Sequence, residues 1–176
     1  MGSYEGVAEE IYDYAGDRGF ATFDLEVFVQ DSGWVGERGW KNSSMEGLVD
    51  IQSDELTLLK MSSAASPLYY LWKLYGEAAF TGVAPSEFDG APTFAVSVTN
   101  SALVLHVDPE SLRVVALVIP QFLETRYDDF REVAGVTVPA TVDTEIIPAS
   151  MSITHRFAEL LPNVETDPGR FEKPSG

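Results

Sequence analysis

The chain has 176 residues, no cysteine and a formal net charge of -17, from 28 Asp plus Glu against 11 Lys plus Arg. That length suits one domain able to bury roughly 70% of its unfolded surface in a single core. The lack of cysteine excludes disulfides, thiol catalysis and thiolate metal sites, and the acidity disfavours nucleic acid and anionic membrane surfaces as partners.

A well-solvated acidic surface is the plain reading of the charge. A salt-adapted organism, in which counterions screen the self-repulsion, is the sharper one. No apolar run approaches the ~20 residues of a transmembrane segment, and no signal peptide is recognisable. Met1-Gly2-Ser3 reads as an artificial start, which leaves room for a native leader, with or without a lipid anchor, removed ahead of it.

Residues 4–14 mix Val7, Ile11, Tyr12 and Tyr14 with acids; strand and helix both fit, and an edge strand is the better reading. A turn at 16–19 leads into residues 20–30, where Phe23, Leu25, Val27 and Val29 alternate with Asp24, Glu26 and Gln30 as in a half-buried strand. Trp34-Val35-Gly36-Glu37-Arg38-Gly39-Trp40 has two glycines to reverse the chain and two aromatics to pack beside it, a tight hairpin. Ser53-Asp54-Glu55 then places a cap and two acids ahead of Leu56, Leu58, Leu59 and Met61, the start of a short helix.

A second helix is expected over residues 66–76, with Ser66 as cap, Pro67 at the first helical position and Gly76 at the end. Leu68, Leu71, Trp72 and Tyr75 share one face, while Tyr69, Tyr70 and Leu74 make the other apolar as well. A helix of that kind must be covered, and the rest of the chain offers strands.

Residues 78–84 and 93–99 flank the turn Glu87-Phe88-Asp89-Gly90, with Phe94, Val96 and Val98 on one face. Residues 101–107 and 112–119 are joined by Asp108-Pro109-Glu110-Ser111, where proline pre-sets φ. Runs at 122–130, 136–146 and 150–157 extend the meander, and residues 160–176 read as a surface tail. Without long helical crossovers the pairing should be antiparallel. The expected fold is therefore mostly β (α+β): one domain, a curved antiparallel sheet forming a half-open barrel with a short helical segment on its concave face or mouth.

Catalytic chemistry is not readable. His106 and His155 lack zinc-site spacing, and the adjacent pairs Asp128-Asp129 and Glu9-Glu10 would point to opposite faces of a strand. There is no nucleophile elbow and no phosphate-cradling glycine loop. No catalytic residue, metal ligand or cofactor is expected, and the chain is not read as an enzyme.

The last third carries a resemblance. Tyr127-Asp128-Asp129-Phe130-Arg131-Glu132-Val133-Ala134-Gly135-Val136-Thr137-Val138-Pro139, followed by Phe171-Glu172-Lys173-Pro174, resembles the closing signature of LolA-like domains, the bacterial outer-membrane lipoprotein-sorting proteins and their relatives. Val35-Gly36-Glu37-Arg38-Gly39-Trp40 is similar to that family's glycine turn, and Leu105-His106-Val107-Asp108-Pro109-Glu110-Ser111 to its Asp-Pro-Glu hairpin. Ala134 and Ala140 depart from the pattern, standing where Asp and an aromatic are usual.

The resemblance implies a half-open β-barrel whose apolar concave face, lidded by helices, accepts acyl chains outside the cytoplasm. Val27, Val96, Leu105 and Leu117 from strands, with Leu71, Trp72 and Tyr75 from the helix, would line such a pocket. The same residues would equally fill a solid core, since close packing is the default for interiors. The expected function is a periplasmic or otherwise extracytoplasmic carrier for a lipid, a lipoprotein acyl chain or another hydrophobic small molecule, working with an envelope protein partner. A non-catalytic interaction module from a larger secreted protein is the alternative, and an enzyme on the same fold ranks third.

Overall fold

Alternation of apolar and polar residues produces fourteen strands among residues 4–61, 73 and 80–175, the part described by a computed structural model, and all their pairings are antiparallel. The single curved sheet expected from the sequence is corrected to a five-stranded sheet, a seven-stranded sheet and a two-stranded hairpin, and neither large sheet closes on itself. The fifth strand ends at Ile51 and the chain continues into a helix, so the ladder is not extended. Two compact units result, Met1–Ser63 with Val164–Gly176, and Ala64–Asn163.

The first unit is a meander of β1 (Val7–Asp13), β2 (Arg18–Asp24), β3 (Val29–Val35), β4 (Arg38–Ser43) and β5 (Gly47–Ile51), each paired with the next. Its two Gly-Trp dipeptides explain the packing. Trp34 lies in register between Gly19 and Gly39, while Trp40 lies opposite Gly33 and so faces the other side. A Cβ at Gly19 would sit 2.2 Å from the Trp34 ring, so glycine is what lets this 1% exposed indole lie flat on the sheet. α1 (Ser53–Met61), with Asp54 and Glu55 in its first turn and Lys60 in its last, buries Leu56 beside Gly39 and Ile51. Lys60 fastens its end to the Gly36 carbonyl at 2.8 Å.

On the Trp40 side the C-terminal segment folds back. The expected surface tail is corrected at Phe171, which is 0% exposed within a short 3-10 turn, Pro168–Phe171. Trp40 donates its indole N–H to the Phe171 carbonyl at 3.1 Å. The Arg18 guanidinium covers the Phe171 ring, Arg170 covers Phe20, and Arg170 also pairs with Glu9 at 2.6 Å.

The strand expected over residues 20–30 is also corrected. The chain reverses between β2 and β3, with Glu26 left-handed at φ 65 and its amide bonded to the Asp24 carboxylate at 3.0 Å. An Asp side chain that satisfies a nearby backbone amide offers the chain a turn in place of a ladder.

The second unit contains β6 (Phe80–Phe88), β7 (Ala91–Val98), β8 (Val104–Val107), β9 (Val114–Ile119), β10 (Leu123–Asp128), β13 (Thr141–Ile146) and β14 (Met151–Arg156), in the spatial order β14-β13-β10-β9-β8-β7-β6. Between β10 and β13 the chain makes the hairpin of β11 (Arg131–Val133) and β12 (Val136–Val138). The single run expected over 136–146 is therefore broken. Pro139 has no amide to donate, and the Ala140 amide turns back to the Asp128 and Asp129 carbonyls at 3.1 and 3.2 Å. The helix expected over 66–76 lies outside the described residues, apart from Lys73. No helix among the described residues is long and apolar enough to cross a membrane.

Candidate functional site

In an antiparallel sheet, directly paired residues share a face. The registers therefore place Val83, Val96, Leu105, Leu117, Thr125, Thr144 and Ile153 in one row across the whole seven-stranded sheet. A second row on the same face, Ile119, Leu123, Ile146 and Met151, runs nearer the turns. A third, Tyr127, Val142 and His155, lies on the far side of the first. The centre of the face is buried, with Leu105 at 3% and Leu117 at 5% exposure, whereas Val83 at one edge is 68% exposed. Thr125 and Thr144 share a hydroxyl hydrogen bond at 3.2 Å, which lets two polar side chains sit in an otherwise apolar row.

Three of the residues expected to line a pocket are thus neighbours: Val96, Leu105 and Leu117. Val27 is not among them; it lies in the β2–β3 turn of the other unit at 68% exposure, a consequence of the Asp24 turn. Leu71, Trp72 and Tyr75 fall outside the described residues. Sequence reasoning missed Leu123, Ile146 and Met151, which bring apolar surface to one end of the same face, and Phe122 and Ile147 in the turns beside them. Their signal was available as two stretches without a charge, residues 114–123 and 146–154.

The opposite face of the sheet mixes small apolar residues, Ala95, Ala116, Val104 and Val118, with the charged ones. His106 shares a hydrogen bond through Nδ1 with the Thr93 hydroxyl at 3.1 Å and packs against Phe88, ring centroids 4.8 Å apart. Arg126 lies over Phe88 and joins Glu124 at 2.7 Å and Asp89 at 2.6 Å. Beside it is a depression of about 260 Å³ whose walls include Glu124, Arg126, Asp143 and Glu145. No three His, Asp or Glu side chains among the described residues are grouped so as to hold a metal ion. The carboxylate contacts around Arg126 form an ion-pair cluster.

Compared with family models, curated proteins and solved structures, the chain matches none of them.

Burial holds both imidazoles below their ordinary value of 6.5, opposed at His106 by the Glu124 charge. In the unfolded chain these histidines take up protons as pH falls through about 6.5, while the folded protein resists. Their contribution to stability is complete above that value and is lost as pH falls through the folded values. The urea midpoint is expected to be level above pH ~7 and to decline towards pH ~5. A His106→Gln/His155→Gln chain should flatten that decline; a wild-type midpoint indifferent to pH over this window would contradict the assignment.

Proposed function

We propose that the chain is an extracytoplasmic binding or carrier protein for a lipid, a lipoprotein acyl chain or another hydrophobic ligand, not a catalyst, and that it resembles LolA-like carriers. The half-open barrel with a helical lid, and an envelope protein as partner, belong to this proposal as what the resemblance implies. The observation that supports it most is the apolar face of the seven-stranded sheet. Its rows pass from buried Leu105 and Leu117 to Met151, 42% exposed, so apolar surface continues from interior to solvent. A surface of that kind offers an alkyl chain a route with little polar surface to desolvate.

The test is displacement of a fluorescent fatty acid, together with native mass spectrometry of the protein purified from its source envelope. Displacement at micromolar concentration, or a co-purified acyl chain, is expected. Neither appearing would reject the carrier.

A second reading has its own support. Val98, Leu103, Leu105 and Leu117 are at most 5% exposed, as in a filled interior. The depression described above is also lined mostly by residues of the charged face. Both points favour an interaction module with a solid core.

A further inference from the structure

Charge is distributed along the seven-stranded sheet in a way that composition does not show. Strand directions put three turns at one end: residues 99–103 after β7, 120–122 after β9 and 147–150 after β13. The three uncharged stretches that contain these turns, residues 91–105, 114–123 and 146–154, occur in a chain of net charge -17. The other end holds Asp89, Asp108, Glu110, Arg113 and Asp129. Glu124 and Glu145, paired across β10 and β13, are the first charges met on leaving the neutral end.

The neutral end is also apolar where it projects. Phe122, Ile147 and Met151 are 46%, 43% and 42% exposed. The Ile147 amide donates to the Phe122 carbonyl at 3.0 Å, so the two turns are held side by side.

We propose that this end docks on the surface of a zwitterionic phospholipid bilayer, with Phe122, Ile147 and Met151 entering the headgroup and upper acyl region. Charged side chains are expensive at that depth and apolar ones are favourable. The three side chains, each less than half exposed, present on the order of 300 Å² of apolar area. That is well below the roughly 800 Å² per partner of a stable protein complex, which argues against a second copy or another protein. Anionic lipid is disfavoured by the charge of the whole chain. The inference deepens the carrier reading, because it names the surface with which a hydrophobic ligand would be exchanged.

Flotation of the full chain with phosphatidylcholine vesicles tests it. Wild type is expected to float with the vesicles, and Phe122→Asp/Ile147→Asp, or Met151→Asp alone, to reduce the bound fraction at least tenfold. Leu112→Asp, in the exposed turn at the charged end, should leave it unchanged. Adding phosphatidylglycerol should weaken flotation at low salt, and molar salt should restore it. Absence of wild-type flotation, or equal loss in Leu112→Asp, overturns the proposal. So does a dimer in sedimentation equilibrium that the double variant abolishes without any flotation of wild type. Fatty-acid displacement keeps the two claims separate: retained in a non-floating double variant, it leaves the carrier standing, and absent in a floating wild type, it removes only the carrier.

Discussion

Phe171→Ala is expected to destabilise the five-stranded unit by about 3–5 kcal/mol, the range for deleting a buried aromatic. The ring is fully buried, with the Arg18 guanidinium over it, and its carbonyl accepts the Trp40 indole proton. The neighbouring ion pairs cannot replace it. Arg170–Glu9 and Lys173–Asp50 are largely exposed, at 39% and 52% and at 41% and 63%, and pairs of that kind contribute about 0–1 kcal/mol. Lys173→Ala should therefore leave the unit nearly as stable as wild type, while Phe171→Ala frees residues 164–175. Limited proteolysis combined with urea denaturation reads both effects. Unchanged cleavage of the C-terminal segment in Phe171→Ala would show that the anchor lies elsewhere.

Leu117→Ala addresses function as well as stability. At 5% exposure in the middle of the row, between Leu105 and Thr125, truncation should weaken the seven-stranded unit by about 2–5 kcal/mol, seen as faster hydrogen exchange in β8, β9 and β10. In a carrier the same side chain borders the ligand, so fatty-acid affinity should change at least tenfold, and saturating ligand should return part of the lost stability by mass action. An affinity equal to wild type in a folded, destabilised variant would place any ligand away from this row and favour the solid-core module.

Much of the fold was legible because it depends on neighbours in the chain. Gly36 and Glu37 between Val35 and Arg38, Asp89-Gly90 between Phe88 and Ala91, and the Asp108 side chain accepting the Ser111 amide at 2.6 Å are turns whose chemistry is written locally. Period-two alternation put Val96, Leu105 and Leu117 on apolar faces, and the hairpins bring those faces into register. The errors also have local causes. Asp24 bonding the Glu26 amide interrupts an otherwise continuous alternation, which moves Val27 out of the site. Pro139 and the Ala140 amide divide one apparent strand into parts of two different sheets.

By itself the sequence determined the β-rich character, the antiparallel pairing, the tight turns and the shared face of Val96, Leu105 and Leu117. These follow from side-chain alternation and turn chemistry within a few residues. Only the tertiary structure decided that the strands divide into two large sheets and a separate hairpin, that Phe171 returns across 131 residues to meet Trp40, and that three uncharged turns lie together at one end of a strongly acidic protein. Such outcomes depend on which distant surfaces exclude water together, and hydrophobic burial has no direction along the chain from which the partner could be read.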